Sequence, residues 1–235
     1  TDCAMAAGDC NWGICGGSLR SPDVARQLNP QDGLYTLTER QGDAAQTRVI
    51  GAVREVLYAP DQAGAVVTRL ADPACHIASF TVTEKGYARS PDGGLDLIAG
   101  RSSFYPLLAQ GLAERRARGL GGLTLLPCDN LAENGKVLAR LMEQWLAADM
   151  PDMVEWFRRE CRVPSTMVDR IVPRTAPQAL TALERHLCMR DAGAVFTEGF
   201  SQWVIEDDFA GPRPQWERPG VQLVNDVAPF ETAKL

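Results

Sequence analysis

Apolar runs of strand length alternate along the chain with stretches of helical period, the pattern of a sheet covered by helices. The first run, Trp12 to Leu19, reads as a strand, and Ser21-Pro22-Asp23 opens a short helix that reaches about Leu28. Leu34 to Arg40 and Arg48 to Ala59 are rich in β-branched residues and flank a polar Gln-Gly-Asp turn, which predicts an antiparallel pair. A helix over Asp61 to Leu70 leads into a strand from His76 to Thr83 that ends in TEKGY. Beyond a hydrophilic turn at Arg89 to Gly94 follow a helix across Phe104 to Arg118, a strand at Leu123 to Pro127 ending in CDN, and a helix from about Asn134 to Ala148. Strand, polar cluster and helix therefore recur in that order.

From Pro151 the spacing gives a helix over Met153 to Cys161, a strand around Thr166 to Val172, and a helix from Pro177 to Cys188. Strands follow near Val195, at Trp203 to Glu206 and at Val221 to Val224, with Gly211-Pro212-Arg213-Pro214 as a turn in an irregular edge region. The class is α/β, a doubly wound, mostly parallel sheet with an antiparallel extension.

Composition narrows the function. With 235 residues, 45% hydrophobic and 23% charged, the chain fits one large globular domain or one and a half small ones and excludes disorder, collagen and coiled coil. No apolar run approaches the roughly 18 to 20 residues a membrane helix needs, so no membrane partner is expected. A net charge of −6 offers no broad positive face to a phosphate backbone, so nucleic acid is not an expected partner either. Seven cysteines without any C-x-x-C, and two histidines, suit neither a disulfide framework nor a metal site. Cys15, Cys75 and Cys128 sit in apolar runs and read as small buried hydrophobes, in a reducing cytoplasm. The chain starts at Thr1 and stops inside PFETAKL, a helix start without a stop signal, so it reads as a fragment cut at both ends.

In an open parallel sheet a ligand lies beyond the carboxyl ends of the strands. Three such ends carry polar clusters: Arg20 to Asp23, Thr83 to Tyr87 and Cys128 to Asn130. Asp23 can accept hydrogen bonds from a dinucleotide ribose or simply charge a helix start, and Arg20 can accept a ribose 2′-phosphate instead. The glycines of GICGGS lie in a strand-like run, not at the tight turn of a G-x-G-x-x-G loop, so the first strand and phosphate loop of a dinucleotide fold are absent from the sequence. Glu84 either relays protons or pairs with a base. The Asn130 amide can donate to an oxygen gaining negative charge, the electrostatic task of carbonyl reduction. Asp169 and Arg170 interrupt MVDRIV, where alternation turns one of them inward. Glu231 and Lys234, three apart, are by spacing alone a solvated surface pair.

Taken in order, WGICGGSLR (12–20), LYTLTER (34–40), RVIG (48–51), TEKGY (83–87), CDNLAENG (128–135), PSTMVDRIVP (164–173), QWVIEDDF (202–209) and PFETAKL (229–235) resemble the polyol-specific long-chain dehydrogenase family, which contains fructuronate reductase and mannitol 2-dehydrogenase. The resemblance implies an incomplete Rossmann-like domain over residues 1–227, with 228–235 starting a helical substrate domain. It also implies metal-free hydride transfer between NAD, or NADP, and a secondary alcohol carbon of a sugar acid or polyol. Carried over by motif, Lys234 is the general acid/base and Asn130 contributes to the oxyanion site beside the cofactor. Asp169 lies near the substrate, and Glu84 and Glu231 belong to the proton path. Asp23, with Arg20 and Thr83, faces the cofactor. TEKGY and QWVIEDDF look closer to the fructuronate reductase branch, with mannitol or arabinitol dehydrogenase as the runner-up.

The departures are the phosphate loop, an asparagine and a histidine beyond Lys234, Val163 in place of an aromatic residue, and a short stretch between Leu97 and Ser103. Residues 1–235 alone are accordingly expected to turn over little or nothing, and a folded scaffold without activity is the alternative of another class.

Overall fold

A computed structural model describes residues 1–42 and 44–234, with Glu84 described by its backbone alone. The strands are β1 (Ile14–Ser18), β2 (Tyr35–Gln41), β3 (Ala44–Ile50), β4 (Val53–Tyr58), β5 (Ile77–Phe80), β6 (Thr124–Pro127), β7 (Thr166–Asp169), β8 (Val195–Glu198), β9 (Gln202–Glu206) and β10 (Gln222–Val224). The helices are α1 (Asp2–Ala6), α2 (Asp23–Leu28), α3 (Ala59–Leu70), α4 (Leu97–Gly100), α5 (Tyr105–Ala117), α6 (Asn134–Asp149), α7 (Val154–Glu160), α8 (Pro177–Leu187) and α9 (Ala228–Lys234). Among the described residues no helix is long and apolar enough to cross a membrane. The chain divides into two compact units, one of residues 1–61 and 169–202, the other of residues 62–168 and 203–235.

In the first unit β1 runs parallel to β4, while β2 pairs antiparallel with β3 and parallel with β8. The expected antiparallel pair is present, but the strand predicted from Arg48 to Ala59 is two. After Ile50 the chain leaves its antiparallel partner, and β4 takes up a new one, β1. An apolar run records burial and not the identity of a partner, so the change is invisible in the sequence. Gly42, at φ 58°, turns the hairpin, and Asp43 of the predicted turn lies outside the described residues. Gly33, at φ 73°, lets the chain pass so near Val53 that a Cβ there would lie 2.3 Å from the Val53 carbonyl oxygen.

Two polar devices stiffen this unit. Asp191, 5% exposed, accepts from the Thr36 amide (2.7 Å), the Thr36 hydroxyl (2.6 Å), Gln31 Nε2 (2.8 Å) and the Gly193 amide (3.0 Å). Burial opposes its charge, but the hydrogen bonds from Thr36, Gln31 and Gly193 outweigh it and hold the carboxyl below the usual range. Asn29 pairs its side-chain amide with the Val56 backbone, donating to the carbonyl and accepting from the amide at 2.9 Å each.

In the second unit β5 runs parallel to β6, and β9 stands between β7 and β10. Every residue of β6 is buried. Helix α6 supplies Leu138, Leu141, Met142, Trp145 and Leu146, the i, i+3, i+4, i+7, i+8 stripe of a core-facing helix, each buried large side chain contributing roughly 1.5–3 kcal/mol. Arg115 of α5 is the charged surprise. It is 4% exposed and donates to the carbonyls of Gly121, Leu70, Asp72 and Cys75 at 2.7–3.1 Å, tying the end of α5 to the chain before β5.

The predicted strands are shortened at their ends: 76–83 to β5, 166–172 to β7 and 221–224 to β10. The seven cysteines are free thiols, and Cys15, expected to be buried, is exposed with Ile14 and Gly17 on β1. Among the described residues β1 is paired along one edge alone, by β4, so an apolar composition does not bring burial.

Candidate active site

The site is built where β6 ends. Cys128 continues the β5/β6 ladder by donating its amide to the Phe80 carbonyl at 2.7 Å, and the chain then turns through residues 129–133 into α6. Asp129 Oδ1 accepts from the Leu131 amide at 3.0 Å, a local carboxylate turn, and Oδ2 accepts from the Tyr87 hydroxyl at 2.5 Å. Glu133, at φ 52°, makes the left-handed step that starts α6.

The next residue, Asn134, is fully buried. Its Nδ2 donates to the Thr166 carbonyl (3.0 Å) and its Oδ1 accepts from the Thr166 amide (2.9 Å), so the side chain serves as a partner strand for the start of β7. Thr166 also donates its hydroxyl to the Pro127 carbonyl. Gly135 then allows the helix backbone to approach the segment that leads into β7, since a Cβ on it would lie 2.5 Å from Ser165 N and from the Val163 carbonyl oxygen. The Asn130 side chain is thus carried on a turn whose flanks are fastened to the core.

Helix α9 brings the other half. Asp226 accepts from the Ala228 amide at 3.0 Å at its start, and Val227 and Phe230 pack with Met167, Val204 and Val224. That packing aims the Glu231/Lys234 face at the 128–133 turn. Lys234 Nζ donates to Asn130 Oδ1 at 2.8 Å and to the Val168 carbonyl at 2.5 Å, and Glu231 Oε1 accepts from the Glu133 amide at 3.1 Å. Lys234 is exposed and Glu231 half-buried, and both side chains of the pair that spacing alone reads as solvated reach across to a second element. A cleft of about 290 Å³ is lined by Asp129, Asn130, Leu131, Ala132, Thr166, Met167, Glu231 and Lys234.

The remaining candidates are not among the residues that line this cleft. Asp169 is the half-buried last residue of β7 and is not among those lining residues. Arg170 is structural, since its guanidinium donates to Glu39 at 2.8 Å and to the Thr197 hydroxyl at 2.9 Å. Glu84 begins a one-turn 3-10 helix, Glu84–Tyr87, and its side chain lies outside the described residues; Thr83 precedes it, exposed. Arg20 and Asp23 are exposed beyond β1, on a turn held by Ser18 donating to the Ser21 carbonyl (2.5 Å) and by the Asp23 amide donating to the Ser21 hydroxyl (3.1 Å).

Sequence reasoning gave no role to Asp129, Tyr87, Asn134 or Thr166, although the first two lie in the polar clusters it singled out. Two signals were present: Asp beside Asn after a buried strand, and Asn-Gly at a helix start, where a small polar residue and a missing side chain mark close backbone approach. Burial, and then the bond to Asp129, drives the Tyr87 phenol far above its ordinary value, so it is a fixed donor. Burial, reinforced by the Asp129 charge, pushes the Cys128 thiol up to about 12 and leaves it unreactive.

Residues 3–218 match the family described as the mannitol dehydrogenase Rossmann domain. The chain is 39% identical over 249 aligned positions to an uncharacterized oxidoreductase, YeiQ, of Escherichia coli strain K12, covering 100% of this chain and 51% of that protein. It is 37% identical over 236 positions to a mannitol 2-dehydrogenase of Pyrenophora tritici-repentis, covering 94% and 42%. Among solved structures, Pseudomonas fluorescens mannitol 2-dehydrogenase in a ternary complex with NAD and D-mannitol superposes with a TM-score of 0.92 at 36% identity, over 100% of this chain and 51% of that one. The chain spans about half the length of the relatives it matches. It belongs to the mannitol dehydrogenase family.

Proposed function

We propose that this member of the mannitol dehydrogenase family takes part in metal-independent hydride transfer between NAD and the secondary alcohol carbon of a polyol or sugar acid. Lys234 acts as general acid and base, and Asn130 as donor to the reacting oxygen. The observation that carries the reading is the 2.8 Å bond between two groups 104 residues apart, both lining one cleft. With its Oδ1 turned to the ammonium, the Asn130 amide directs its NH2 elsewhere, as a donor to substrate oxygen requires.

In reduction the carbonyl oxygen gains negative charge, Asn130 stabilises it, and Lys234 delivers the proton; oxidation reverses both roles. Glu231 of α9, whose carboxylate meets the Glu133 amide at the start of α6, exchanges that proton with water, and Glu84 belongs to the same path. Asp169 contributes on the substrate side. The cofactor-side residues are Asp23, Arg20 and Thr83, and the donor set fits a dinucleotide: an exposed carboxylate at the start of α2, beyond the turn that follows parallel strand β1, can accept from ribose hydroxyls. Arg20 gives NADP a second route. When bound, the nicotinamide supplies or accepts the hydride. Residues 1–227 form the nucleotide-binding part and 228–235 the start of the substrate part. Seven free thiols agree with a reducing cytoplasm.

Two substrates divide the reading. TEKGY and QWVIEDDF, with exposed Lys85 as a partner for a carboxylate, favour D-fructuronate and D-mannonate. The relatives named mannitol 2-dehydrogenase, and the NAD and D-mannitol complex of one of them, favour mannitol and fructose. The deciding experiment measures NADH-dependent reduction of fructose and of fructuronate by the complete gene product, beside Lys234→Ala. We expect turnover of one substrate and a loss of about 10²–10⁴-fold in Lys234→Ala. An undiminished variant would remove Lys234 from the mechanism, and NADH that binds without turnover of either substrate would favour the inactive scaffold.

A further inference from the structure

We infer that Tyr87 and Asp129 form a positioning pair for the reaction, in which the phenol grips the aspartate and thereby fixes the 128–133 turn that presents Asn130. The inference rests on the roles proposed above for Asn130 and Lys234. Its basis is that Asp129 is the residue before Asn130 and is fastened at several atoms. Oδ2 accepts from Tyr87, Oδ1 accepts from the Leu131 amide at 3.0 Å, and the backbone carbonyl accepts from Asn134 Nδ2 at 3.3 Å. The amides on both sides of Asn130 are therefore held while its own side chain reaches the cleft.

The tyrosine is itself immobilised. It has no solvent exposure, its ring stands edge-on to Phe104 at 6.5 Å, and its carbonyl accepts from the Tyr105 hydroxyl at 3.0 Å. The preceding Gly86 carbonyl accepts from the Ser103 hydroxyl at 2.8 Å. Burial keeps the phenol protonated across the working pH range, so the donor is never lost by titration. Tyr87 does not line the cleft, and its hydroxyl is committed to Asp129, so it acts through the turn rather than on substrate. An error of about 1 Å in the placement of a reacting group can cost on the order of 10²-fold in rate.

Tyr87→Phe, which keeps the ring, tests the pair in the complete gene product. The expected result has three parts: kcat falls at least about tenfold with KM for NADH within about twofold; the isotope effect on kcat with deuterated NADH rises; and hydrogen exchange accelerates across residues 128–133 but not in the middle of α6. Asp129→Asn, which keeps an acceptor for the phenol, should retain more activity than Asp129→Ala. A lower melting temperature, with kcat per folded molecule, isotope effect and exchange unchanged, would reduce the pair to a structural role and overturn the inference. An active parent whose Tyr87→Phe variant matches it in all three readouts overturns the inference alone. A parent inactive on every polyol and ketose overturns the underlying reading and this inference together.

Discussion

Asn29 and Asn134 do the same thing in different surroundings. Each turns its side-chain amide against the backbone of one strand residue, Val56 in the first unit and Thr166 in the second, with paired bonds of 2.9–3.0 Å. Asn29 is exposed, whereas Asn134 has no solvent exposure and stands one residue before the backbone contact at Gly135. Val56 is itself buried, but water can approach its backbone from the exposed Asn29 side, whereas Asn134 and Thr166 are both closed to it. A shared hydrogen-bond pattern is thus worth different amounts, and the costlier copy is the one beside the Lys234 cleft.

The comparison breaks most severely at Gly135→Ala. A Cβ 2.5 Å from two backbone atoms of the segment leading into β7 forces α6 outward, and we expect a loss of about 3 kcal/mol in urea unfolding. Gly17→Ala in β1, where a Cβ would have no atom within 4 Å, should be neutral or stabilising by up to about 1 kcal/mol. Next in size, Asn134→Ala should cost about 2–3 kcal/mol by stranding the buried Thr166 amide and carbonyl, against about 1 kcal/mol or less for Asn29→Ala. Equal losses in the two alanine variants would mean that burial does not set the value of the pairing.

The smallest effect concerns Asp191, the buried carboxylate of the first unit. Because its folded value is depressed, it contributes stability that is complete above the unfolded value and is lost as pH falls through the folded one. Asp191→Asn should therefore be about 1–2 kcal/mol less stable at pH 7, with the gap closing below about pH 4. A gap constant from pH 7 to pH 3 would mean that the carboxylate charge is not what Thr36 and Gln31 recognise.

Much of the fold was legible because period and punctuation are local: β6, α5 and α6 fall within a residue or two of where apolar spacing puts them. Partner choice was not. The split at Gly51-Ala52, the exposed face of β1 and the burial of Arg115 each depend on what the rest of the chain brings alongside. The same division runs through the site. Asn130, Glu231 and Lys234 were reached from their motifs, and the structure places all three on one cleft. Tyr87, Asp129 and Asn134 were passed over because their work is done through long-range bonds to the interior, which no spacing rule encodes.

At Gly135 the backbone of α6 lies so close to residues 163–165 that not even a Cβ fits between them, so the frame of the cleft has no thickness to trim. Anyone seeking to reshape what enters must leave alone both that joint and Met167, which packs with α9, and work on the wall side chains at Leu131 and Ala132. The chemistry and the choice of guest can then be varied independently, one written in the fixed skeleton and the other in its replaceable lining.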